Sequence, residues 1–129
     1  MRKILAMMVF LLAGVSATMA QAVVKFEKNS INLGTFTEDK TMKCEFAFTN
    51  TGDKPLVLQQ VFSSCGCTVP SYSKDPIQPG EKGRITVTYN GKGKFPGKFT
   101  KMIIVRSNAS NSMVRIYIEG TMQPKESNN

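Results

Sequence analysis

Histidine is missing from the entire chain. That removes the usual general base near neutral pH, the commonest metal ligand, and every Ser-His or Cys-His nucleophilic pair. Cysteine is scarce, with Cys44, Cys65 and Cys67 making up the whole supply. Acidic side chains are absent between Glu81 and Glu119, although Lys82, Arg84, Lys92, Lys94, Lys98, Lys101, Arg106 and Arg115 all fall there. After the first 22 residues no run of ten or more carries a helical period, so helix-based architectures are excluded.

A long apolar run is also lacking, except at the start. Arg2 and Lys3 form a short positive head, Ile4 to Val15 is apolar, and small residues lead to Ala20-Gln21-Ala22. This is the layout of a cleaved secretory signal peptide, residues 1–22, with the cut before Val23 or slightly earlier, before Gln21. The run is shorter than the roughly 20 residues that span a bilayer, which argues against a retained anchor. No cysteine stands near the cut, so a lipoprotein is not expected. The mature form is expected to be exported, periplasmic or extracellular, and soluble, without a transmembrane anchor.

Residues 23–129 make one domain's worth of chain, which buries roughly two thirds of its unfolded surface and needs neither metals nor disulfides to fold. The folded unit is expected over 23–122, with 123–129 a disordered polar tail. Without Arg2 and Lys3 the charge is 15 basic against 9 acidic side chains, a net +6. The run Lys92, Lys94, Lys98 and Lys101 reads either as a solvated, solubilising set or as a patch for an anionic partner such as a lipid headgroup, acidic glycan or acidic protein. Export and the lack of a recognition motif argue against nucleic acid.

The remaining pattern is strand-like. Val23 to Glu27 and Ile31 to Phe36 are two short extended pieces, with a bulge or kink expected at Gly34. Met42 to Asn50 alternates cleanly, with Cys44, Phe46 and Phe48 on the inner side. A turn over Asn50 to Pro55, with Gly52 free to take positive φ, leads to Leu56 to Phe62, with Leu56, Leu58, Gln60 and Phe62 in one row. If these two runs pair across the turn, Cys44 lies opposite about residue 61, which sets it away from Cys65 and Cys67. Past Pro70 the chain reads as loop. Then follow Arg84 to Asn90, the glycine-rich tip Asn90 to Lys94, and the strands Phe99 to Ser107 and Met113 to Met122. About seven short strands with frequent turns predict an all-β immunoglobulin-like β-sandwich.

Ser64-Cys65-Gly66-Cys67-Thr68 interrupts this plain alternation. Cysteines two apart place both thiols on one face of an extended chain. A disulfide between them suits an oxidising compartment and needs Cα atoms about 4.4–6.8 Å apart, which a turn through Gly66 permits. A soft-metal site for copper or zinc would lack further motif-spaced ligands. The third reading is two small apolar groups packed at the rim, with Gly66 letting backbones approach. A structural role ranks above redox chemistry, and redox above metal. Cys44 reads as a small buried hydrophobe. Asn108-Ala109-Ser110 matches a glycosylation acceptor by coincidence.

Together, Leu33-Gly34-Thr35-Phe36, Phe46 to Gly52, Pro55-Leu56, Ser64 to Thr68, Pro79-Gly80-Glu81, Gly97-Lys98-Phe99 and Ile118-Glu119-Gly120 resemble an uncharacterised family of exported bacterial immunoglobulin-like domains. That family is marked by a Cys-Gly-Cys-Thr motif and is typical of Bacteroidetes envelopes. The resemblance implies a sandwich related to major sperm protein and hydin-type modules, no enzymatic activity, and no cofactor. On these grounds the chain reads as a non-enzymatic envelope module that binds a protein or glycan. The alternative is a periplasmic thiol-redox or copper-handling protein built on Cys65, Gly66 and Cys67.

Overall fold

The computed structural model describes residues 20–125. Most of the expected signal peptide and the end of the expected tail lie outside those residues. Eight strands form the fold: β1 (Val24–Phe26), β2 (Ser30–Thr37), β3 (Thr41–Asn50), β4 (Leu58–Ser63), β5 (Thr68–Ser71), β6 (Lys82–Asn90), β7 (Gly97–Ser107) and β8 (Met113–Gln123). They make two four-stranded sheets, ordered β1-β3-β6-β5 and β2-β8-β7-β4. The result is the all-β sandwich that the alternation predicts.

Period-two burial explains why the sheets stack. Phe46 and Phe48 of β3, Ile85, Val87 and Tyr89 of β6, Ile103 and Val105 of β7, and Ile116 and Ile118 of β8 are all buried in one core. Burying each large side chain is worth roughly 1.5–3 kcal/mol. Gly34 takes φ +80°, and the register between β2 and β8 shifts between Asn32 and Thr35, which is the expected bulge.

Five details depart from the sequence reading. β3 and β4 do not form a hairpin. Both edges of β3 are taken, by β1 and by β6, and β4 pairs with β7 in the other sheet. The crossing is organised by the side chain of Asn50, which is fully buried. Its Nδ2 donates to the carbonyls of Lys54 (2.7 Å) and Ile77 (2.9 Å), while its Oδ1 accepts from Gly52 N (3.0 Å) and Val23 N (3.3 Å). Gly52 does not adopt positive φ; it is small because a Cβ there would collide with the backbone of Gln21 and Val23.

Within β4 a register shift between Leu58 and Gln60 turns the row over. Val61 is therefore buried, and Phe62 faces out with the guanidinium of Arg106 5.9 Å above its ring. The eighth strand, β5, is one the alternation does not predict; it holds Pro70 and ends at Ser71, inside the stretch expected to be loop. It pairs with β6 alone, so the missing amide falls on a sheet edge, where proline costs no ladder bond. Finally, Gln123 belongs to β8, opposite Thr37, rather than to a tail.

Candidate functional site

The two stretches that the sequence sets apart meet at one end of the sandwich. β4 ends at Ser63 in one sheet and β5 starts at Thr68 in the other, so the chain must change sheets within four residues. Cys65 to Thr68 makes that change as a tight turn, closed by Thr68 N donating to Cys65 O at 3.1 Å. A disulfide joins Cys65 and Cys67, whose Cα atoms are 5.3 Å apart. Cys67 is only 6 % exposed and Cys65 packs against the same core. Gly66 is exposed, has no positive φ, and a Cβ there would meet only open space. The expected close approach of backbones at Gly66 is therefore absent, because the turn points outward.

The disulfide consumes both sulfurs, so neither is a thiolate ligand or nucleophile in this state. Among the described residues no cluster of three or more His, Cys, Asp or Glu could hold a metal ion. Cys44, on β3, is free and half-buried, and burial pushes its thiol pKa up. It packs against the core, as the alternation expects.

The lysine-rich loop between β6 and β7 starts at this corner. Asn90 N donates to Cys67 O at 2.8 Å. The Asn90 side chain then accepts from Lys92 N (3.1 Å), and Lys94 N donates to Gly91 O (2.9 Å), which folds the loop into a defined turn. Gly91 is buried so closely on Met122 that a Cβ would overlap its sulfur, and Gly93 takes φ +82°. Beneath the root lie Phe36, Tyr89 and Phe99, with Tyr89 and Phe99 stacked at 4.4 Å and Phe36 edge-on to both. Burial also raises the Tyr89 pKa.

Lys92, Lys94 and Lys98 are exposed around this loop. Lys101 is not part of the group. It is paired with the buried Ile118 and shares the inward row of Phe99 and Ile103, on the opposite face of β7 from Lys98. The turn between β2 and β3, at the same end, carries Glu38 and Asp39 with Lys40. The Thr37 hydroxyl bonds to the Asp39 carboxyl and holds its pKa below the ordinary value.

Two residues carry weight that the sequence pattern does not single out, Phe95 in the lysine loop and Asn50 at the opposite end of β3. Phe95 is 97 % exposed at the loop tip; its place between Lys94 and Pro96 is the signal that could have found it. Asn50 reads as an ordinary turn residue, and nothing in the sequence reports its four backbone partners. Asn108 uses its side chain internally, donating to Pro55 O (3.0 Å) and accepting from Val57 N (2.8 Å), so the glycosylation match marks a structural asparagine.

A family model described as "Protein of unknown function (DUF1573)" matches residues 24–122. The chain belongs to this family. The DUF1573 domain superimposes on a protein of unknown function from Porphyromonas gingivalis with a TM-score of 0.69 at 18 % identity. That match covers 82 % of this chain and 50 % of the other, so the domain spans half the length of that protein. It is also similar to PapD-like domain 7 of human CEP192 (TM-score 0.66, 11 % identity, 89 % of this chain and 97 % of that one). The periplasmic chaperone SfaE gives a TM-score of 0.58 at 14 % identity, over 81 % of this chain and 59 % of that one. These likenesses establish an immunoglobulin-like, PapD-like fold for the DUF1573 domain. A comparison with curated proteins yields no match. Among the described residues no helix is long and apolar enough to cross a membrane.

Proposed function

We propose that the domain is a non-enzymatic binding or assembly module of the cell envelope that works through the end where the disulfide corner roots the lysine loop. The observation that carries this reading is the bond from Asn90 N to Cys67 O. It ties the disulfide-closed turn to the loop that carries Lys92 and Lys94. A binding loop on a rigid base loses little freedom when it engages a partner. Lys92, Lys94 and Lys98 give that end a preference for anions, and Lys125 and Lys40 offset the nearby Asp39.

The signal-peptide-like pattern of residues 1–22 supports export, and one structural neighbour is named a periplasmic chaperone. The redox and copper alternative has less behind it, since it needs a free thiolate pair where the corner holds a disulfide.

Retention of the purified domain on an isolated cell-envelope fraction tests the reading. Binding should fall as salt rises and should be lost in Lys92→Gln/Lys94→Gln/Lys98→Gln. Equal retention of that variant would overturn the assignment of the loop end.

A further inference from the structure

Phe95 is the most exposed large apolar side chain described, at 97 %. Its exposure is built in rather than incidental. The loop root is held by Asn90 N on Cys67 O, the Asn90 side chain on Lys92 N, and Gly91 seated against Met122. Gly93 and Gly97 bracket the tip with φ of +82° and +127°, so the backbone turns sharply on each side of Lys94-Phe95-Pro96. Folding gains nothing from a phenylalanine held in water, and a loop with this anchoring could equally present serine there.

We infer that this loop is a membrane-docking tip for anionic lipid. The inference rests on the proposed binding role of the loop end and names its ligand class. Three exposed lysines and one exposed aromatic share the stretch Lys92 to Lys98, which matches the layered chemistry of a bilayer surface: anionic headgroups outside, hydrocarbon just beneath. Lys92, Lys94 and Lys98 meet phosphate groups while Phe95 enters the boundary below them. An acidic glycan or acidic protein surface would use the lysines but offers no general reason for an apolar tip. The loop leaves β6 at the sheet end, and every residue from Lys92 to Lys98 is exposed. Lys101, on the other face of β7, takes no part.

The test is co-sedimentation of the mature domain with phosphatidylcholine vesicles and with phosphatidylcholine–phosphatidylglycerol vesicles, alongside binding to soluble dextran sulfate. Wild type should bind the anionic vesicles and not the neutral ones. Lys92→Gln/Lys94→Gln/Lys98→Gln should lose about a hundredfold in vesicle affinity, at about fivefold per lysine. Phe95→Ser should lose about tenfold on vesicles and nothing on dextran sulfate. Lys101→Gln should match wild type. Vesicle binding unaffected by Phe95→Ser would overturn the docking tip. So would failure to bind anionic vesicles at low salt; dextran sulfate binding retained in that case would leave the anionic binding end standing and remove only the lipid.

Discussion

The amide of Asn90 donates to the carbonyl of Cys67 at 2.8 Å, so the disulfide corner and the lysine loop share one hydrogen bond. The two features are separated in sequence and adjacent in space because Thr68, at the start of β5, pairs with Tyr89, near the end of β6. The corner's first task is therefore mechanical, fixing where the loop begins.

Removing the disulfide tests that task. Closing a three-residue ring restricts the unfolded chain little, so Cys65→Ser/Cys67→Ser should lower stability by about 1.5 kcal/mol, somewhat more because Cys67 is buried. Denaturant melts measure the loss. Amide exchange at Asn90 should rise more than exchange at Val87, deep in the same strand; equal change at both would show that the corner does not anchor the loop.

Asn50 carries the sheet crossing before β4. Asn50→Ala removes the side-chain partner of Lys54 O, Gly52 N and Val23 N and one of the two donors to Ile77 O, which should cost about 2–4 kcal/mol. Thermal unfolding should shift down by about 10 °C or more. A shift of a degree or two would show that these groups find other partners.

Cys44 gives a pH-dependent expectation. Burial raises its folded pKa above the unfolded value. Its contribution to stability is then fully present below the ordinary thiol range and is lost as pH rises through the folded pKa. Native protein should react with iodoacetamide several-fold more slowly than unfolded protein at the same pH, with one label per chain when disulfides are intact. Rapid labelling at neutral pH would contradict the half-buried position.

The N-terminal processing site is the fourth expectation. Ala22 is only 2 % exposed, Ser110 N donates to its carbonyl and Asp53 N donates to that of Gln21, each at 2.9 Å. A cut before Val23 would remove all three interactions, whereas a cut before Gln21 keeps them. Intact mass of exported protein should therefore start at Gln21, and a recombinant chain beginning at Val23 should melt lower than one beginning at Gln21. Equal melting would remove the structural reason for the choice.

Much of this was legible in the sequence because period-two patterning directly encodes which side of a strand is buried. Phe46, Phe48, Ile85, Val87, Ile103 and Ile116 needed nothing more. What escaped depends on events between strands. The slip after Leu58 exchanged Phe62 for Val61, Pro70 concealed an edge strand, and the crossing at Asn50 replaced the expected hairpin. At the site, the sequence marked Cys65, Cys67 and the lysines separately. Only the register of β5 on β6 brings them together, and only the face of β7 removes Lys101.

The most direct measurement of the central claim is hydrogen exchange of the mature domain with and without isolated cell-envelope membranes. The expected result is new protection concentrated in Asn90 to Lys98, with the opposite end around Lys74 to Gly80 unchanged. Protection confined to that opposite end, or to the outer sheet faces, would contradict a binding role for the lysine loop.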